Sequence, residues 1–317
     1  MSRFSAPGRL VDAGGFRLHL HASGRNGPTV VFDAALGASS PSWTLVQPDV
    51  ATFARTCVYD RAGFGWSECG PLPRTAGRAA DELHFALERA GERPPYLLVG
   101  HSYGGLVMRI FAGRYPADVA GLVLVDPAHP EDWLNPAPKE QHRIDRGVRL
   151  CRQGQLASRV GLAHVVSALV GAGAVPAARR LVNGVTRHRF ETDLDFILAP
   201  FLKLPGHVQP LVRQFWTRPG FFAALGSQIA SMSTSAREVL DAAPRGYDAL
   251  PLVTISRASP DDHTRRRQDA VAALSSRGRH IVANRGGHWI PLDDPALLVD
   301  VIREMHSASV PSSMPVD

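Results

Sequence analysis

Through its first 125 residues the chain alternates short runs of β-branched and apolar residues, each closed by a turn, with segments of helical periodicity. This constrains the fold more than any other feature, because runs with no polar face must be covered on both sides. Helices returning between such runs cover them and make the sheet parallel. Residues 11–20 read as a hairpin around Gly14 and Gly15, and residues 29–33 (TVVFD) as a short buried strand. Residues 55–60 (RTCVYD), 96–100 (YLLVG) and 122–126 (LVLVD) read as three more. Between them, residues 74–91 carry Leu83, Ala86, Leu87 and Ala90 at helical spacing, and residues 104–115 carry Leu106, Val107, Ile110 and Phe111 likewise.

After Pro127 the pattern changes. From residue 131 to residue 240 helix-like periods are separated by Pro and Gly, with no strand. Strand character returns at residues 252–256 (LVTIS) and 280–283 (HIVA), with helical periods at 265–274 and 295–305. The expected organisation is one α/β sheet split by an insertion: a core of residues 1–130 and 241–317, and a helical cap of residues 131–240. The final residues, SASVPSSMPVD, read as a disordered tail.

A chain of 317 residues buries enough surface to hold a core without disulfides or a structural metal. Cys57, Cys69 and Cys151 are odd in number and lack CxxC spacing, which fits reduced thiols and a cytoplasmic location. The N-terminus has no apolar run of signal-peptide length, and the most apolar stretch, residues 162–175, is broken by His164, Ser167 and glycines, so no membrane span is expected. The formal charge is +6, and all but two (Lys139 and Lys203) of the 35 basic residues are arginines, scattered along the chain. Even the densest run, Arg265 to Arg267, lacks the interleaved aromatics of a nucleic-acid reader and reads as a solvated surface.

Gly100-His101-Ser102-Tyr103-Gly104 follows the apolar run YLLV directly and opens a helical segment. A Gly-x-Ser-x-Gly in this setting lifts a serine oxygen clear of the sheet on a tight turn, with glycine at both flanks keeping side chains out. Ser102 is therefore the candidate nucleophile. A serine hydroxyl needs an adjacent base, oriented by a third group. His288, in Gly286-Gly287-His288-Trp289, lies after the last strand and before the last helix, at the same sheet edge. For the acid, Asp126 ends LVLVD, while Asp261 and Asp262 follow LVTIS by a few residues; either choice keeps the order Ser, Asp, His. Oxyanion donors are expected at the backbone N–H groups of Tyr103 and of Leu36 in the loop after TVVFD.

These segments together resemble the α/β-hydrolase fold family over essentially the whole chain. Asp60-Arg61-Ala62-Gly63-Phe64-Gly65-Trp66-Ser67 looks like the family's Asp-Arg-x-Gly-x-Gly-x-Ser segment, and VGHSYGG and GGHWI look like its nucleophile and histidine segments. The resemblance implies an eight-stranded, mostly parallel sheet flanked by helices, with the insertion as a cap. It points to a subgroup similar to cofactor-free haloperoxidases, proline iminopeptidases and related esterases. Epoxide hydrolases and dehalogenases use an aspartate nucleophile, and Ser102 argues against both. Two positions depart from the pattern: Ala34-Ala35 stands where many members have His-Gly, and the loop after LVTIS lacks Gly-x-x-Asp. The second departure favours Asp126 as the acid. The Asp60-Arg61 segment is expected to fix its turn rather than to do chemistry.

No P-loop, dinucleotide fingerprint or metal motif accompanies these segments, so no cofactor and no metal are expected. The cap contributes Trp133, Phe196, Phe201, Phe215, Trp216, Phe221 and Phe222, which read mainly as its own core. The expected activity is hydrolysis of a small to medium hydrophobic ester through an acyl-enzyme. Lactonase, thioesterase, amidase, iminopeptidase and haloperoxidase or perhydrolase chemistry are alternatives on the same residues, and a non-catalytic ligand-binding protein is the alternative of another class. The expected partner is a small-molecule substrate, with no nucleic acid and no membrane.

Overall fold

Thr29–Asp33 and Tyr96–His101 are buried at every residue, and Val119–Val125 at all but one, as runs without a polar face require. In the computed structural model, which describes residues 6–186 and 200–309, they are the central strands β3, β5 and β6 of an eight-stranded sheet. The remaining strands are β1 (Arg9–Asp12), β2 (Arg17–Ser23), β4 (Thr56–Asp60), β7 (Leu252–Ser256) and β8 (Gly278–Val282). The strand order is β1-β2-β4-β3-β5-β6-β7-β8. The β1–β2 and β2–β4 pairs are antiparallel, and every other pair is parallel.

Each face of the sheet carries its own apolar layer. On one, Leu98, Leu122 and Leu124 pack with Leu83 and Leu87 of the helix Ala76–Ala90 and with Leu106, Ile110 and Phe111 of the helix Tyr103–Arg114. On the other, Val99, Val123 and Ile255 pack with Trp43 and with Leu298 and Ile302 of the helix Pro295–Ser309. The doubly wound layering brings the ends of β5, β6, β7 and β8 to one edge.

Several boundaries differ from the sequence expectation by one to four residues, β6 for instance beginning at Val119 rather than residue 122. Strand β8 begins at Gly278, where Leu252 pairs with it, two residues before the expected start. As an edge strand it needs no continuous apolar run, so the polar Gly278-Arg279-His280 hides its beginning. The last helix runs through Ser309, whose hydroxyl donates to the Met305 carbonyl at 2.7 Å, so residues 307–309 of the expected tail are helical; the rest lies outside the described residues.

Between β6 and β7 the described residues form helices, including Pro138–Arg159, Leu162–Gly171, Val175–Thr186, Gln209–Phe215, Pro219–Ala230 and Met232–Ala242. Phe201 packs with Leu204, Val208 and Val212, and Phe221 with Phe64 and Ala224, while Trp216 touches both groups. Phe196 lies outside the described residues. No helix among the described residues is long and apolar enough to cross a membrane.

Candidate active site

Ser102 stands between the last residue of β5 and the first residue of the helix Tyr103–Arg114, with φ of 54° and ψ of −114°. That conformation is disfavoured for a residue with a Cβ by about 1–3 kcal/mol, so surrounding contacts must enforce it. They do so through the backbone. The Ser102 N–H donates to the Val125 carbonyl at 3.0 Å, and the Ser102 carbonyl accepts from the Ala128 and Gly105 N–H groups at 3.1 and 2.9 Å. The flanking glycines answer to close approach. A Cβ on Gly100 would lie 2.5 Å from the Gly104 carbonyl oxygen, and one on Gly104 would lie 2.5 Å from that of Asp33.

Asp126 is the residue after β6, also at positive φ (37°), with its N–H donated to the Ile255 carbonyl at 2.7 Å. Its buried carboxylate reaches His288: Oδ2 lies 2.6 Å from Nδ1, and Nε2 of the same ring lies 2.9 Å from Ser102 Oγ. A carboxylate on Nδ1 keeps the proton there and leaves Nε2 as the acceptor for the serine O–H. Asp261 instead caps the helix Asp262–Ala272, accepting the Thr264 N–H at 2.7 Å, and that bond holds its carboxyl below the usual range. Asp262 is the exposed first residue of that helix. Of the three carboxylates considered, the structure brings Asp126 to the imidazole.

The loop bearing His288 is anchored at several points. The Gly286 carbonyl accepts the Ala258 N–H at 3.2 Å, and the Gly287 N–H donates to Asp293 Oδ2 at 3.0 Å. Lys203 Nζ, from the residues between β6 and β7, lies 2.6 and 2.7 Å from the two oxygens of the same Asp293. The His288 carbonyl accepts from His101 Nε2 at 2.7 Å. Neither Asp293 nor His101 was identified from the sequence, where the only trace of His101 was its place inside the nucleophile pentapeptide. Arg257 was missed as well: directly after β7, its Nη1 lies 3.9 Å from Asp126 Oδ2.

Burial, and then the neighbouring His288, push the His101 imidazole down to about 3. It is neutral in the folded chain, with Nε2–H as its donor. Between pH ~6.5 and ~3 the unfolded chain binds a proton that the folded chain refuses, so stability rises with pH across that window and is lost on acidification. The full window corresponds to about 4–5 kcal/mol. Urea unfolding at pH 7 and 4 should show this loss. Glutamine at residue 101, which donates but does not titrate, should flatten it; an unchanged pH slope in His101→Gln would contradict the assignment.

The loop after β3 is oriented from below by Arg61, the buried residue that follows β4. Its Nη1 donates to the Ala34 carbonyl at 2.7 Å and to the Asp33 carboxylate, and its Nη2 donates to the Ala35 carbonyl at 2.6 Å. In a trans peptide the carbonyl and the next N–H point in opposite directions. Turning the Ala35 carbonyl toward Arg61 therefore turns the Leu36 N–H away from it. Tyr103 is the first residue of its helix, so its N–H has no partner within that helix. The turn itself is held by Asp60, whose carboxylate accepts the Ser40 and Trp66 N–H groups at 2.7 and 3.0 Å and meets His19 Nδ1 at 2.9 Å. Arg61 thus acts beyond its own turn.

Comparison with known proteins places this geometry in context. The family profile of the alpha/beta hydrolase fold matches residues 28–208. The Bacillus subtilis protein YqjL is 40% identical over 108 residues, 34% of this chain and 43% of that protein. The chain spans less than half the length of the curated relatives it matches. Among solved structures, a putative epoxide hydrolase from Pseudomonas aeruginosa superposes with a TM-score of 0.71 at 14% identity, covering 95% of each chain. A thermophilic esterase from Thermogutta terrifontis superposes with a TM-score of 0.63 at 19% identity, covering 92% of this chain and 94% of that one. At these identities the structural likeness is one of fold.

Proposed function

The chain belongs to the α/β-hydrolase fold family, and from that premise we propose that it is a serine hydrolase cleaving a small to medium hydrophobic ester through an acyl-enzyme. The observation that carries this reading is the single imidazole of His288 bridging the Asp126 carboxylate and the Ser102 hydroxyl. In this mechanism His288 Nε2 takes the proton as Ser102 Oγ attacks the ester carbonyl carbon. The oxyanion then forms beside the Leu36 and Tyr103 N–H groups. The imidazolium, held by Asp126, gives its proton to the departing alkoxide as the C–O bond breaks. Water then gives a proton to His288 and attacks the acyl carbon, and collapse releases the acid and returns the proton to Ser102.

We read the helices between β6 and β7 as a cap over this serine. Supporting this, Leu225 lies against Gly37, where an added Cβ would meet its Cδ1 at 3.2 Å, and Arg218 donates to the carbonyls of Gly65 and Ser67. The cap surface beside the oxyanion loop is then apolar, which favours a hydrophobic acyl group. The test is incubation of the full chain with a fluorophosphonate, with mapping of the adduct, alongside rates on p-nitrophenyl esters of increasing acyl length, thioesters and lactones. A single adduct on Ser102 and a rate maximum among short to medium esters are expected. A chain that is neither labelled nor active on any of these substrates would overturn the proposal.

A further inference from the structure

Arg109 lies two turns into the helix Tyr103–Arg114 and is only 5% exposed. Its Nε has no hydrogen-bond partner, and among the described residues no carboxylate pairs with it. A guanidinium withdrawn from water is ordinarily matched by an anion, so the missing partner calls for an explanation. Its side chain lines a cleft of about 390 Å³ that also receives Arg266, Arg267, His129, His263 and Glu131.

The charges in this cleft are not equivalent. Arg267 is fully engaged: Nη2 lies 2.9 Å from Asp132, Nη1 lies 3.3 Å from Glu131 and 2.6 Å from His129 Nδ1, and Nε donates to His263 Nε2 at 3.2 Å. Burial and Arg267 push His129 down to about 4, so it accepts from Arg267 as a neutral ring. Glu131 and Asp132 are taken up by Arg267. Three arginines against these two carboxylates leave a net positive charge, and Arg109 and Arg266, reaching one cleft from two helices, are the cations with no carboxylate contact of their own among the described residues. Its remaining wall is apolar, from Leu240, Val271 and Leu274.

We propose that this cleft binds a phosphate group, as inorganic phosphate or as a phosphate monoester with a small apolar body, paired with Arg109 and Arg266. Guanidinium forks match phosphate oxygens, and two forks from separate helices suit a head with three free oxygens better than a two-oxygen carboxylate. The Leu240–Val271 wall would take the ester's apolar part. The site is separate from Ser102 and does not rest on the hydrolase reading.

The test is calorimetric titration of the full chain, in chloride buffer, with inorganic phosphate, phenyl phosphate and benzoate. One-site saturable binding is expected, with benzoate the weakest of the three. Phenyl phosphate binding above inorganic phosphate identifies a monoester site; equal binding identifies inorganic phosphate. Arg266→Gln, at an exposed position, should weaken phenyl phosphate binding about tenfold or more, and Ser102→Ala should leave it unchanged. Arg109→Met should lose binding while melting no lower than the parent chain in phosphate-free buffer, since it removes a buried unpaired charge. Absence of saturable binding, wild-type affinity in Arg266→Gln, or benzoate binding as tightly as phenyl phosphate would each overturn the proposal.

Discussion

Ser102→Ala should lower kcat for p-nitrophenyl ester hydrolysis by about 10⁴- to 10⁶-fold, because the hydroxyl that would receive the acyl group in the proposed mechanism is gone and, among the described residues, no second nucleophile lies on His288. The double variant Ser102→Ala, His288→Ala should lose little more. Residues that act as one unit are non-additive, and an imidazole with no hydroxyl to deprotonate has no further work. Initial rates under saturating substrate decide this. Activity in Ser102→Ala within tenfold of the parent would show that the chemistry lies elsewhere in the molecule.

Asp126→Asn should lower kcat by about 10⁴-fold with the geometry intact. The amide can present an N–H to Nδ1, which drives the ring proton to Nε2 and removes the acceptor that Ser102 needs. The corresponding substitution at Asp262 should change kcat by less than about twofold, as expected of an exposed side chain. Asp261→Ala should act on stability alone, by about 1 kcal/mol, through its cap on the helix Asp262–Ala272. A larger loss at residue 262 than at residue 126 would reverse the assignment of the acid.

Much of the fold was legible because its determinants are local. Central strands announce themselves as unbroken apolar runs, and the glycines around Ser102 mark places where backbone meets backbone. The acid was harder. Asp126, Asp261 and Asp262 all follow apolar strands, and their local sequences do not say which carboxylate turns inward. The choice emerges from the positive φ of Asp126 and from its N–H bond to β7, both products of packing across the sheet. The reach of Arg61 beyond its own turn and the place of Arg257 were opaque for a related reason: in a chain so rich in arginine, partners 25 or more residues away decide which are surface charges. The polar start of β8 and the final turn of the last helix were missed because an edge strand and a helix end need little apolar signal.

Asp293 serves two masters: with one carboxylate it grips a lysine from the helical region and the backbone amide next to the histidine. If Lys203 were drawn away, the carboxylate steadying residue 287 would lose its counter-charge at the same moment. On the cap reading proposed above, the helices over the serine and the loop of His288 would share a single carboxylate, so that a displacement of one would be felt at the other.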